Sequence, residues 1–159
     1  MSQLRSFVRA IGVLSSLVII GCGDGEDENT PEGEQQTGLE IAGTWETTFP
    51  AGVTSSDTIS DVSWDSVGEG YESSTEIVDF DNEENVLITT GPDFNDPETD
   101  VFNRIVWTEP DGGSFYYCTV AFGLPTLEDA LNSTETADAS DPETMGSCGA
   151  FSWTKLSAP

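Results

Sequence analysis

Residues 105–120 read Ile-Val-Trp-Thr-Glu-Pro-Asp-Gly-Gly-Ser-Phe-Tyr-Tyr-Cys-Thr-Val. The two flanks of this stretch, 105–108 and 114–120, are dominated by β-branched and aromatic side chains, which suit a pleated, half-buried surface. Between them Glu109, Pro110, Asp111, Gly112 and Gly113 supply turn chemistry: proline fixes one backbone angle, and Asp and Gly accept the conformations a reversal needs. The stretch therefore reads as a β-hairpin. Outward from it, similar runs recur at 41–49, 57–64, 71–80, 86–90, 101–108, 115–122 and 151–156, separated by Gly, Pro, Asn and Asp. These are seven expected strands, with a second hairpin turning at 81–85. One helix is expected at 126–132, where Thr126 and Asp129 stand at capping-box spacing and Leu127, Ala130 and Leu131 share a face. The fold class is all-β: a small antiparallel β-barrel or sandwich with one short helix.

Trp45, Trp64, Trp107 and Trp153 fall one each into four of the expected strands. They are read as core or rim packing residues of the sheet, with an aromatic ligand cavity as the sharper alternative. Gly43-Thr44-Trp45 is similar to the opening motif of lipocalins and other small barrels of their type. That resemblance implies a barrel-like fold and carries no ligand. Lipocalins have eight strands and pack an Arg against the Trp; seven strands are expected here, and Arg104 and Lys155 are the only cations after Cys22.

The chain opens differently. Arg5 and Arg9 precede a ten-residue apolar run, 11–20, which ends at Gly21-Cys22. This is the order of an export signal: a charged start, a short apolar stretch and a small residue at the cut. The run is too short to span a bilayer, which takes roughly 20 apolar residues. Ile19-Ile20-Gly21-Cys22 resembles the lipobox of bacterial lipoproteins, although Leu is more usual where Ile19 stands. The resemblance implies that residues 1–21 are a removed signal peptide and that Cys22 carries the lipid, holding the protein outside the cytoplasm at the bacterial cell envelope. Several acyl chains on one residue meet the requirement of stable anchoring for more than one chain. Residues 22–38 then form the lipidated Cys and an acidic linker. Positions 23–38 hold six carboxylates and no aromatic or aliphatic side chain, a composition unable to bury enough apolar surface to order itself. Residues 39–159 remain as a single β domain.

Setting Cys22 aside leaves Cys118 and Cys148, an even pair in an exported chain, which is expected to form a disulfide. Thirty acids lie after Cys22 against only Arg104 and Lys155, so the mature chain sits near −28. That charge repels nucleic acid and anionic headgroups, which leaves lipid as the route to the membrane and makes a basic protein or a weakly held divalent cation the natural partner. Asp79, Asp81, Glu83 and Glu84 concentrate oxygen ligands of the type calcium takes. The spacing is not that of an EF-hand, because Glu84 and Thr90 stand where its glycine and its closing glutamate belong. Asp93, Asp96, Glu98 and Asp100 form a second cluster, and both are read as solvated turns rather than metal sites. No residue is histidine and no G-x-S-x-G nucleophile motif occurs. The sequence thus points away from an enzyme and names no cofactor. It suggests a displayed, non-catalytic interaction or structural module, or, as the alternative, a lipocalin-like barrel holding a small apolar ligand. A cavity inside a closed barrel would favour the latter.

Overall fold

In the computed structural model the chain divides into two units, Met1–Gly33 and Glu34–Pro159; residues 38–48 and 54–159 are described here. The expected signal peptide, the lipidation position Cys22 and the linker to residue 37 lie outside the described residues. None of the described helices is long and apolar enough to cross a membrane.

The second unit is a closed, eight-stranded antiparallel barrel in which every strand pairs with its sequence neighbours. Its strands are β1 (Gly43–Thr48), β2 (Thr54–Ile59), β3 (Ser63–Gly68), β4 (Tyr71–Asp81), β5 (Val86–Pro92), β6 (Asp100–Trp107), β7 (Ser114–Leu124) and β8 (Thr154–Ser157). Between β7 and β8 lies one helix, α1 (Leu127–Leu131). Closure comes from β8 against β1, through Leu156 opposite Thr47 and Ser157 opposite Glu46. Closing the sheet removes the unpaired edges that an open sheet would expose.

Both expected hairpins are present. β6 and β7 turn through Gly112 and Gly113, at φ 58° and 79°, left-handed values that glycine adopts without strain. The β4–β5 turn uses Asn85 at φ 54° and the Asp81 carboxylate, whose Oδ1 accepts from the backbone N–H groups of Glu83 at 2.8 Å and Glu84 at 3.1 Å. One expectation is corrected. Residues 57–64 are not one strand but the end of β2, a tight turn and the start of β3, so the barrel has eight strands rather than seven. That turn carries neither Gly nor Pro; the Ser60 hydroxyl organises it, accepting from the N–H groups of Val62 and Ser63. Such local serine turns are weaker sequence signals than Pro-Asp-Gly. In α1, Thr126 caps the N-terminus by accepting from Asp129 N at 3.1 Å. The expected apolar face is narrower than read: Ala130 is buried, while Leu131 is 46% exposed.

Along the barrel axis the interior changes character. Toward the end where the chain enters, inward positions are apolar: Ile59, Ile77, Leu87, Ile105, Trp107, Phe115 and Leu156 form one core with Leu39 and Ile41, and Trp64, also part of that core, is its boundary toward the other end, with Tyr117 packed against it. Residues 38–41 seal this end. Leu39 N donates to Asp61 Oδ1 at 2.8 Å and Glu40 N to Asn82 Oδ1 at 3.0 Å. Asn82 returns a bond to Gly38 O at 2.8 Å, and the Trp107 indole donates to Glu40. Trp45, half-buried, packs edge-on against Phe115 with centroids 4.8 Å apart and donates to Ile41 O at 2.9 Å.

A buried carboxylate beneath an open cup

Strand β2 reads Thr-Ser-Ser-Asp-Thr-Ile and alternates exposed with buried at every step. The two-residue period of a strand sends Ser55, Asp57 and Ile59 inward. Asp57 is only 4% exposed, and a buried carboxylate is costly unless its oxygens are satisfied. Cross-strand register brings the donors. Thr47 on β1 stands opposite Ser55, and Ser66 on β3 stands opposite Asp57 itself, with Trp64 opposite Ile59. Asp57 Oδ2 accepts from Thr47 Oγ1 at 2.9 Å and Ser55 Oγ at 3.4 Å. Its Oδ1 accepts from the Trp64 indole Nε1 at 3.0 Å and from Ser66 Oγ. Four donors thus meet one carboxylate, and each is neutral.

Trp64 and Ser66 are also part of a cup at the open end of the barrel, so Asp57 lies one hydrogen bond beneath its floor. The cup holds about 230 Å³, below the roughly 300–1,000 Å³ of sites for drug-sized ligands, which sets a small molecule as its upper limit. Its wall continues through Ser73, Thr75, Thr89, Asn103, Thr119 and Tyr117, with the apolar Ile105 among them and Phe122 at the rim. Thr75 spends its hydroxyl on the Trp64 carbonyl at 3.3 Å, and the Asn103 side-chain oxygen accepts from Gly123 N at 3.0 Å. The Asn103 amide donors and the hydroxyls of Ser73, Thr89 and Thr119 have no side-chain hydrogen bond among the described residues. Tyr117 meets Trp64 at an interplanar angle of 62° with centroids 4.8 Å apart. Burial pushes the Tyr117 hydroxyl above its ordinary pKa, and the negative charge of Asp57 adds to the rise.

The residues singled out from sequence are distributed elsewhere. Cys118 and Cys148 are joined as expected, with Cα atoms 5.7 Å apart, and tie the long β7–β8 connection to the outer face of β7. The buried Trp153 fixes the same connection, donating from its indole to Asp138 O at 3.1 Å and Ser147 O at 3.2 Å. Of the four tryptophans, only Trp64 lines the cup. Neither Arg104 nor Lys155 stands by Trp45. Arg104 Nη1 donates to the Ala130 and Leu131 carbonyls, at 3.3 and 3.5 Å, at the C-terminal end of α1, while Lys155 Nζ lies 5.3 Å from the Tyr116 ring centroid. In the two acidic clusters, Asp81 and Asp93 cap their own turns, Asp93 Oδ1 accepting from Asn95 N at 2.6 Å and Asp96 N at 3.0 Å. The described residues gather no set of three or more His, Cys, Asp or Glu side chains with metal-binding geometry. Asp57 was not singled out from the sequence; the signal it left is an acid at an inward position of an alternating Ser/Thr strand.

The chain was compared with models of protein families, with curated proteins and with solved structures, and it matches none of them.

Proposed function

We propose that this protein is a non-enzymatic, lipid-anchored binding module of the bacterial cell envelope, and that the barrel cup takes a small polar or amphipathic molecule. The single observation that carries this reading is the cup itself. Among the described residues about 230 Å³ at one end of the barrel is unfilled, and the hydroxyls of Ser73, Thr89 and Thr119 and the Asn103 amide donors in its wall have no side-chain partner there. Water can satisfy these groups when the cup is empty, and a ligand with polar groups can take its place. The mixture of Ser, Thr and Asn with the aromatic Trp64, Tyr117 and Phe122 suits a ligand with polar groups better than the small apolar ligand of the alternative reading.

Support for the anchored, extracytoplasmic placement comes from the lipobox-like residues ending at Cys22 and from the Cys118–Cys148 disulfide, a bond that persists in oxidising compartments. The described chain enters the barrel at its closed end, so the cup opens at the end opposite the proposed tether. A second reading, display for a protein partner, draws on the exposed apolar side chains at that same open end: Phe94 is 96% exposed and Phe122 73%. A basic partner would complement the acidic surface.

The cup reading is tested by ligand-observed NMR with a library of small fragments against wild type and Thr119→Trp, whose indole fills the cup. Fragments that bind wild type and lose binding to the filled variant are expected. A library in which every binder is indifferent to the filling overturns the reading in favour of display. For the anchor, Cys22→Ala should abolish acyl labelling and membrane fractionation; cleavage and fractionation like wild type would remove the lipoprotein reading.

A further inference from the structure

The floor and wall of the cup narrow the chemistry of its occupant. Asp57 brings a full formal charge into the barrel, and its four hydrogen-bond partners are two serines, a threonine and an indole. Neutral donors satisfy the oxygens but cancel none of the charge. Arg104 and Lys155 are both committed elsewhere, Arg104 at the end of α1 and Lys155 over Tyr116. Asp57 is joined directly to the cup lining, through its hydrogen bonds from Trp64 Nε1 and Ser66 Oγ. A cleft with low-dielectric walls focuses the field of such a charge, and the surrounding domain, with 24 acids from Glu40 onward, adds to it with the same sign. An anion is disfavoured at every step of its approach.

Aromatic geometry adds a second element. Trp64 and Tyr117 meet edge to face and both line the cup, Trp64 with only 6% of its surface exposed, so the aromatic surface offered to an occupant is small and close to Asp57. Ring quadrupoles attract ammonium groups, most strongly where water is excluded. We infer that the occupant of the cup, on the reading that the cup is a binding site, is a small organic cation, an amine or quaternary ammonium seated beside Trp64 and Tyr117 above Asp57. Its hydroxyl or other polar tail meets Ser73, Asn103 and Thr119 toward the mouth. A neutral polyol would use the same hydroxyls but gain nothing from the carboxylate beneath them.

Calorimetric titration of the full-length protein in neutral detergent with choline, its neutral carbon isostere dimethylbutanol, and glucose separates these cases. Choline is expected to bind at least about tenfold tighter than dimethylbutanol, and that preference should shrink in Asp57→Asn. The wild-type ratio decides by itself, so the test stands even where Asp57→Asn folds poorly. Equal affinity for choline and dimethylbutanol, or a preference for glucose, overturns the cationic class while leaving the cup as a site. If none of the three binds while fragments still distinguish wild type from Thr119→Trp, the cationic class falls alone. If no fragment makes that distinction either, the cup reading falls with it.

Discussion

The two ends of the barrel are built from the same eight strands and the same period-two alternation, yet one is filled and the other hollow. At the closed end the inward positions carry Ile, Leu, Trp and Phe, and residues 38–41 add Leu39 and Ile41 as a stopper. At the open end the same strands turn Ser55, Ser66, Ser73, Thr75, Thr89, Asn103 and Thr119 inward. Strand geometry therefore sets which residues face the interior, while side-chain chemistry decides whether that interior collapses into a core or stays open to solvent and solutes. A barrel needs only part of its length packed to be stable, which frees the remainder for binding.

The largest expected contrast is energetic. Phe115, 1% exposed and in the filled half, should cost about 3–5 kcal/mol on Phe115→Ala, whereas Ser73→Ala at the cup wall should change stability by less than about 0.5 kcal/mol. Urea denaturation of both variants measures the difference. Comparable losses would mean that the two ends are energetically alike and break the comparison.

Next in size is the disulfide. It closes a span of 30 residues, for which the chain-entropy model gives about 3.6 kcal/mol. Reduction should lower the unfolding midpoint in urea accordingly. Hydrogen exchange should then rise in the β7–β8 connection, beside Tyr117, Thr119 and Phe122, before it rises in the closed end. Simultaneous loosening of both ends would show that the bond supports the barrel as a whole.

A subtler expectation concerns alkaline pH. The Tyr117 pKa is raised in the folded state by burial and by Asp57, so the folded protein holds this proton more tightly than the unfolded chain does. The resulting stability is complete below the ordinary tyrosine value of 10.0 and is lost as pH rises from there through the raised value. Tyr117→Phe should therefore flatten the fall in stability above that pH; an unchanged profile would argue that the hydroxyl is not buried beside Asp57.

The smallest effect expected is that of salt. With 24 acids from Glu40 onward against two bases, self-repulsion should be screened by sodium chloride, giving a smooth rise in melting temperature. Calcium at matched ionic strength should add little, because Asp81 and Asp93 serve their turns. A jump of several degrees at low calcium that is lost in the Asp79→Asn, Asp81→Asn double variant would overturn this.

These contrasts also show how far the sequence could be read. The filled half was legible: Trp107, Phe115 and the Pro-Asp-Gly turn carry strong β and turn signals, and the hairpin they define is present. The Cys118–Cys148 pair followed from compartment and counting. Strand β2 was obscured because its inward residues are Ser55, Asp57 and Ile59, so hydrophobic alternation fails where the interior is polar. The turn that ends it hides in Ser60, which reverses the chain by hydrogen bonding rather than through glycine. The cup was missed for the same reason. Its donors come from strands far apart in sequence and converge on Asp57 only through barrel register, whereas the more conspicuous acidic clusters at 79–84 and 93–100 include turn-capping carboxylates.

If the cup is a binding chamber and the closed end a packed plug, three of the four tryptophans report on the division directly. Trp64 lines the cup and bonds Asp57, Trp107 lies in the plug, and Trp153 braces the β7–β8 connection. Two-dimensional NMR of the indole N–H groups during titration with a cup-selective fragment should shift the Trp64 resonance while Trp107 and Trp153 stay fixed. A Trp64 signal that never moves, or three signals that move together, would contradict the division of the barrel into a filled end and a binding end.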